Sequence, residues 1–429
     1  MTYSEATDYI FSKLPMFSRV GSEAIKNGFT NILALCEILG NPQHKGKYVH
    51  IAGTNGKGSV SHMMAAILQT AGFKTGLYTS PHLKDLRERI KINGAEISKL
   101  EVIDFIEKMK PAIENLKPSF FEITVAMAFE HFARHHCDIA VMETGLGGRL
   151  DSTNIITPEI SIITNIGLDH VHILGESLQK IATEKAGIIK PGIPVVIGES
   201  HPETENIFKE FAKQNNSELC FADQHLQVTD WQYNNEELVV QIASPNKIDQ
   251  KKYHLDLTGN YQTKNVVTTI AATHLLQKNG WQIDELHIAN GLRKAKKLTG
   301  LHGRWETIGH HPRIIIDVAH NPDGIHQLLN QLEMAAYHNL HIVLGMVKDK
   351  DVTKVLSMLP KNAKYYFSNA HVPRALPAHE LQEKALINNL HGNVFDDVND
   401  AVRTAQSFAH HDDLILILGS VFLVGEVNY

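Results

Sequence analysis

The stretch Lys47-Tyr48-Val49-His50-Ile51-Ala52-Gly53-Thr54-Asn55-Gly56-Lys57-Gly58-Ser59 decides the fold. Lys47 to Ala52 read as a short buried strand, and Val60 to Thr70 read as a helix. A glycine-rich turn between strand and helix lets successive backbone N–H groups surround an anion. The helix start adds the positive end of its dipole. In that frame Gly53, Thr54, Asn55, Gly56 and Gly58 form the cradle, Lys57 reaches the outer phosphates, and the Ser59 hydroxyl sits on a magnesium ion. The spacing is not the common G-x-x-x-x-G-K-[ST], because Ile51 and Gly58 depart from it. A glycine between the lysine and the serine is a narrower pattern. The plain alternative is a glycine-rich turn with a surface lysine, and the flanking strand and helix speak against it.

The bulk numbers set limits. A chain of 429 residues is comfortable for two domains. Its 43% apolar and 21% charged content fit an ordinary soluble globular protein. A net charge of −6 leaves no nucleic-acid footprint. Cys36, Cys137 and Cys220 lie far apart, form no metal spacing and point to a reducing compartment, so a cytoplasmic location is expected. The start, Met-Thr-Tyr-Ser-Glu-Ala-Thr-Asp, has neither the basic residues nor the apolar core of a signal peptide. The longest apolar run, Leu414 to Gly425, is too short to span a bilayer and is broken by Gly419-Ser420, so no membrane partner is expected. The 26 histidines are scattered, and most read as solvated or satisfied side chains.

Residues 5–40 read as helical, with a stop at Gly40-Asn41-Pro42. Strand signals follow at Asp138 to Met142, Ile160 to Thr164 and Pro194 to Gly198, with helices at Ser98 to Leu116 and Phe121 to His135. That alternation predicts a mostly parallel, doubly wound α/β sheet. Residues 217–258 are polar and β-leaning, and 262–295 return to helix. A second alternating block has strands at Arg313 to Asp317, Leu340 to Leu344, Tyr365 to Ser368 and Leu414 to Leu418. Lys294 to Gly300 reads as linker and hinge. The expected division is 1–296, a phosphate-loop domain, and 297–429, a smaller Rossmann-like α/β domain.

Ligands in open α/β sheets bind beyond the carboxyl ends of strands. Glu143 stands at such an end, before Thr144-Gly145-Leu146-Gly147-Gly148-Arg149-Leu150-Asp151, and offers a carboxylate to nucleotide-bound magnesium. A helix-capping glutamate is the plainer reading. The next strand tip carries Asn165-Ile166-Gly167-Leu168-Asp169-His170, and His170 is a candidate ligand of a second metal. Lys185, in Glu184-Lys185-Ala186-Gly187, reads from the residues alone as a surface helix lysine. In the second block Arg304 offers a fixed charge for a transferring phosphoryl group, and Asp317 and His320 lie at a strand end.

These residues carry a pattern that resembles the folylpolyglutamate synthase/dihydrofolate synthase family, within the Mur-ligase-like ATP-dependent ligases. The matching blocks are HIAGTNGKGS (50–59), TSPHL (79–83), FEITVAMAF (121–129), ETGLGGRLDSTN (143–154), the 163–192 segment ending EKAGIIKPG, LTGNYQTKN (257–265), GRWE (303–306), DVAHNP (317–322) and LGSVFLVGEV (418–427). The resemblance implies that Ser59 and Glu143 bind a first magnesium. It implies that His170 and a carbamylated Lys185 help bind a second. Asn265 and Arg304 would contact ATP, with Asp317 and His320 completing the site. Ser420 would lie near the incoming L-glutamate. Ser119, Phe121 and the segment Gly148, Asp151, Ser152, Thr153 and Asn154 would lie on the pteridine side. Three positions depart from the usual pattern. Ser119-Phe120-Phe121-Glu122 stands for Thr-x-Phe-Glu, Val318 replaces a glycine, and Leu301-His302-Gly303-Arg304 stands for W-P-G-R.

The reaction so implied adds glutamate to dihydropteroate or to folate tails through an acyl phosphate, by a chain expected to be a monomer. One rival is a Mur ligase joining an amino acid to a cell-wall precursor. Another is a non-catalytic nucleotide switch, which needs neither a second magnesium nor Asp317 and His320.

Overall fold

The computed structural model describes residues 1–15, 28–233, 236–245 and 250–429. Three sheets organise them. The first has eight strands: β1 (Tyr48–Ala52), β2 (Thr75–Tyr78), β3 (Ile90–Ile92), β4 (Ala95–Glu96), β5 (Ile139–Glu143), β6 (Ile160–Ile163), β7 (Val195–Ile197) and β8 (Leu219–Phe221). Their order is β4-β3-β2-β5-β1-β6-β7-β8, parallel except at β3 and β4. All five residues of β1 are buried. A parallel strand covered on both faces reads as a continuous apolar run, which is why Tyr-Val-His-Ile-Ala forms one. β5 and β6 flank β1. The chain therefore reverses its winding at β1, and the tips of β5, β1 and β6 lie side by side.

The region read as polar and β-leaning forms a small antiparallel sheet of β9 (Gln227–Tyr233), β10 (Leu238–Ala243) and β11 (Gln250–Leu255). The last sheet holds β12 (Glu306–His310), β13 (Arg313–Ile316), β14 (Leu340–Leu344), β15 (Lys364–Phe367), β16 (Gly392–Val394) and β17 (Leu414–Leu418). Its order is β12-β13-β17-β14-β15-β16, parallel except at β12. The tips of β13, β17 and β14 are thus neighbours.

The helices used below are α1 (Lys57–Thr70), α2 (Lys99–Leu116), α3 (Phe120–Arg134), α4 (Leu178–Ala186), α5 (Gln262–Lys278), α6 (Glu285–Arg293), α7 (Ala295–Thr299) and α8 (Pro322–Glu333). Several starts are written in the sequence. Ser98 with Glu101, and Ser119 with Glu122, make reciprocal capping boxes. Asn321 caps α8, whose first residue is Pro322. α1 is packed all round: Ser59 to Leu68 are all buried, between the first sheet and α5, α6 and α7. Among the described residues no helix is long and apolar enough to cross a membrane.

Two expectations change. Of the helical reading over 5–40, residues 16–27 lie outside the described residues, and Tyr3–Lys13 and Thr30–Ile38 are separate helices. The segment 294–300 is not open linker. Ala295–Thr299 is helical and tied to the first sheet's layer. The Thr299 hydroxyl is 2.7 Å from His62 Nδ1, and Lys91 Nζ donates to the Thr299 and Gly300 carbonyls at 2.8 and 3.2 Å. Polar, lysine-rich sequence hid the helix because its partners lie far away in the chain.

α6 meets α1 backbone to backbone. A Cβ on Gly291 would stand 2.6 Å from Ile67 Cα and 2.8 Å from Ile67 N. Gly291→Ala is expected to cost about 1–3 kcal/mol by overpacking, while exposed Asn290→Ala stays within about 0.5 kcal/mol. Urea denaturation of the two variants checks this, and equal midpoints would contradict the close packing.

Candidate active site

The loop Gly53–Gly56 hangs between the tips of β1 and β6. Gly53 has φ +153, and a Cβ there would lie 1.8 Å from Thr164 Oγ1. Gly56 has φ +82, and a Cβ would lie 2.3 Å from Asn265 Oδ1. Only glycine satisfies both conformation and space at Gly56. The loop is sewn to the next tip. Thr54 N donates to the Asn165 carbonyl, Asn55 N to Asn165 Oδ1, and the Thr164 hydroxyl to the Asn55 carbonyl. Lys57 Nζ donates to the Gly53 and Thr54 carbonyls at 3.0 and 3.3 Å. Lys185 Nζ, on α4, donates to the same Gly53 carbonyl at 2.8 Å. Two amines therefore converge on one oxygen.

Ser59 is buried and accepts from Gln262 Nε2 at 3.1 Å, and Asn265 Nδ2 donates to Gln262 Oε1 at 2.7 Å. Glu143, at the tip of β5, is 4% exposed and accepts the Ser80 N–H at 3.2 Å. Burial raises its proton affinity, while Lys57, the Ser80 N–H and Arg304 oppose that.

The carboxyl edge of the last sheet faces this loop. Asn55 and Asn321 exchange side-chain hydrogen bonds at 3.0 and 3.3 Å. Asn321 Nδ2 also donates to Asp169 Oδ2 at 3.1 Å. Lys350, beyond the tip of β14, donates to Asp169 Oδ1 at 2.6 Å and lies 3.2 Å from His170 Nε2. His320 Nε2 is 3.5 Å from Asp169 Oδ2. The space left by the missing Cβ of Gly58 borders Arg304 Nη2, which would sit 3.4 Å from it. The first turn of α1 therefore lies beside the guanidinium of the segment that leads into β12.

Two family profiles match the chain, the Mur ligase middle domain over residues 51–273 and the Mur ligase glutamate ligase domain over 303–421. A Bacillus subtilis dihydrofolate synthase/folylpolyglutamate synthase is 33% identical over 439 residues, covering 99% of this chain and 98% of the relative. The chain belongs to the folylpolyglutamate synthase/dihydrofolate synthase family. Among solved structures, Escherichia coli FolC in complex with DHPP and ADP superposes with a TM-score of 0.84 at 27% identity, covering 99% of this chain and 96% of that one. Mycobacterium tuberculosis folylpolyglutamate synthase complexed with ADP gives 0.88 at 29% identity, with coverage of 99% and 96%.

Several residues singled out in this folylpolyglutamate synthase-type chain also bond the protein's own groups. Asp317 is 3% exposed and both its oxygens accept hydrogen bonds: Tyr261 OH and the Trp305 N–H donate to Oδ2, and the Ala319 N–H donates to Oδ1. It ties α5's start to the Arg304 segment. The Ser119 hydroxyl serves the capping box of α3, accepting from Glu122 N and donating to Glu122 Oε2. Phe121 fares differently, since its ring lies where a Cβ on Gly145 would be, 2.6 Å away. Gly148 packs on α4, with Glu184 and Lys185 carbonyls 2.9 and 3.0 Å from a would-be Cβ. Asp151 bonds Leu146 N, Thr153 N and Thr153 Oγ1, and Asn154 Nδ2 bonds the Arg149 and Gly187 carbonyls. The segment 148–154, Ser152 included, is thus a self-bonded turn that seats α4. Ser420 is buried and caps the last helix, Val421–Glu426, at the tip of β17.

Asp169 and Lys350 were missed as site residues. Asp169 sits within the quoted strand tip, and Lys350 follows β14 in Gly345-Met346-Val347-Lys348-Asp349-Lys350, so strand-end position was the available signal. Burial works against the Asp169 carboxylate, but contact with His320 and the charge of Lys350 outweigh it and hold it well below the usual range. Burial and Lys350 push the His170 imidazole down to about 3, so the ring is neutral.

The Asp169 and Lys350 side chains are 11% and 6% exposed. Removing one charge strands the other. Asp169→Asn and Lys350→Met are each expected to cost about 3 kcal/mol, and the double variant less than their sum. Thermal unfolding of all four proteins tests this; strictly additive losses would break the proposed coupling across the seam.

Proposed function

We propose that this chain is an ATP-dependent ligase that joins L-glutamate to a folate-type carboxylate, acting both on dihydropteroate and on folate γ-glutamyl tails. The observation that carries the reading is the facing of two carboxyl edges across one glycine-rich loop, with Lys57, Lys185 and Arg304 gathered there. Similarity to relatives named for both activities supports it.

The chemistry follows from charge and exclusion. A substrate carboxylate attacks the γ-phosphorus of ATP; the new O–P bond forms as the bond to ADP breaks. The glutamate amine then attacks the acyl carbon, phosphate leaves, and the amine's proton passes to solvent. Lys57 and Arg304 place fixed positive charge where phosphoryl oxygens gather charge in the transition state. Asn265, through Gln262, holds the Ser59 hydroxyl in place. Asp317 does not touch the reacting atoms in this reading. It positions Arg304 by fixing the Trp305 N–H beside it. His320, at the β13 edge beside Asp169, and Ser420, at the β17 tip, are assigned to the glutamate side. Phe121 and the Gly145 loop are assigned to the pteridine.

Magnesium fits the residues present. Glu143 is a buried carboxylate that accepts one backbone donor, the Ser80 N–H, and keeps oxygen lone pairs for a cation. Ser59 and Glu143 would hold a first ion, giving the oxygen donors a hard ion takes, and His170 would belong to a second. When bound, magnesium neutralises charge on the β- and γ-phosphates. A second ion near Lys185 fits only if the lysine is carbamylated, since an ammonium repels a metal. Burial first, and Lys57 second, push the Lys185 amine down to about 7, so a neutral nucleophile for carbon dioxide is available at physiological pH. Carbamate formation joins that nitrogen to the carbon of CO2 and releases one proton.

The organisation near 1–296 and 297–429 belongs to the same proposal, as do a monomeric state, a cytoplasmic location and the absence of nucleic-acid partners. Gly300 and Gly303, just past that division, both have positive φ.

Purified protein given ATP and glutamate is expected to release ADP with dihydropteroate and, separately, with tetrahydrofolate, and Lys57→Ala to lose about a hundredfold or more in both assays while keeping its circular dichroism. Turnover of tetrahydrofolate alone removes the first activity. For Lys185, 13C-bicarbonate should yield a carbamate carbonyl resonance at about pH 8 that fades by about pH 6, because the reacting species is the neutral amine. Lys185→Ala should lack the resonance and regain part of its activity with added formate or acetate. Full activity at about pH 8 without the resonance would refute the carbamate.

A further inference from the structure

Among the described residues, one cluster apart from the loop and its seam brings together groups that ligate metals. His131 lies in the last turn of α3 and His135, four residues on, is the C-cap residue that follows it, so the two share a face. Glu101, in the first turn of α2, points at both. Its Oε1 is 2.6 Å from His135 Nε2 and 3.4 Å from His131 Nδ1. The two rings lie 4.5 Å apart at 57°. One ligating atom from each residue falls within 4.8 Å of the others.

The arrangement is built rather than casual. Glu101 Oε2 is held by Ser98 N at 3.1 Å and Ser98 Oγ at 2.7 Å, the capping box of α2. That leaves Oε1 aimed at the imidazoles. Hydrogen bonds that orient a carboxylate in this way are what a metal ligand uses. His131 has a side chain only 7% exposed, while those of Glu101 and His135 are 22% and 39% exposed. The cluster is walled on one side and open to water on the other.

We propose that Glu101, His131 and His135 form a binding site for one divalent transition-metal ion of the zinc class, with its remaining positions open to water. Two imidazoles and one carboxylate suit such a borderline ion, and they differ from the oxygen-rich set suited to magnesium. An ion pair between Glu101 and His135 alone would not require a second, buried ring on the same oxygen. Burial pushes His131 down to about 4, so it presents a neutral nitrogen. Arg134, whose charge also lowers the proton affinity of His131, and Lys74, which donates to the His135 carbonyl, are cations close by and temper the affinity. A bound ion would clip the first turn of α2 to the last turn of α3, the helix that carries Phe121 at its other end.

The test is a Co2+ titration of the full chain in excess Mg2+, which keeps the oxygen-rich site filled. One equivalent with a visible d–d band is expected. His135→Asn, at a half-exposed position, should weaken Co2+ binding by about tenfold or more and leave the metal-free melting temperature unchanged. Glu101→Gln, a second variant, should weaken it likewise. Zn2+ should raise the melting temperature of the wild type by about 2 °C or more and not that of the variants. His411→Asn changes a histidine whose side chain is 67% exposed, in the turn before β17, and should behave as wild type. Equal Co2+ affinity in the wild type and both cluster variants, or a band that Mg2+ abolishes, overturns the proposal.

Discussion

Crowding of positive charge around a single loop is the constraint on which the rest of this structure depends. Lys57 and Lys185 share the Gly53 carbonyl, Arg304 borders the first turn of α1, and Lys350 stands one residue pair away on Asp169. Cations in so small a buried volume repel, and the fold holds them only by inserting carboxylates and carbonyls between them. Asp169 and Glu143 are those carboxylates. The site is a preorganised basin of positive potential, with its own counter-charges fixed among the cations. A polyphosphate entering such a basin meets dipoles and charges already aligned.

The two large sheets reach the basin by the same device. In each, the strands whose tips matter are adjacent: β5, β1 and β6 in one, β13, β17 and β14 in the other. Parallel winding puts every loop of that kind on one edge. Two such edges facing each other yield a cleft lined by main-chain turns and short side chains. The reciprocal Asn55–Asn321 amide pair and the Tyr261–Asp317 bond show how closely the edges approach.

Much of this was legible beforehand, for a local reason. Strand tips, glycine turns and capping boxes are short-range patterns, so β1, β5, β14 and β17 and the loop at Gly53 could be read within a residue or two. Leu340–Leu344 and Leu414–Leu418 fell on the residues expected. What escaped was long-range. α7 looked like a linker because its anchors, His62 and Lys91, lie more than 200 residues earlier. Lys350 looked like one charge among many until Asp169 appeared beside it. Asp317 drew attention for its strand end, but its bonds to the Tyr261 hydroxyl and to the Trp305 and Ala319 N–H groups depend on a fold the sequence does not display. The distinction between a contacting residue and a residue that shapes the contact is a matter of hydrogen-bond accounting, and it needs coordinates.

The capping box at Ser119 carries a last consequence. Because Ser119 and Glu122 close on each other, α3 begins without fraying, and Phe121 is part of a rigid rod from its backbone outward. The orientation of that ring against the Gly145 loop is settled when the protein folds. On the proposed assignment of the pteridine to this ring, the ligand loses its own freedom on docking and the ring little of its own. The conformational entropy was surrendered once, during folding, and is not charged again at each turnover.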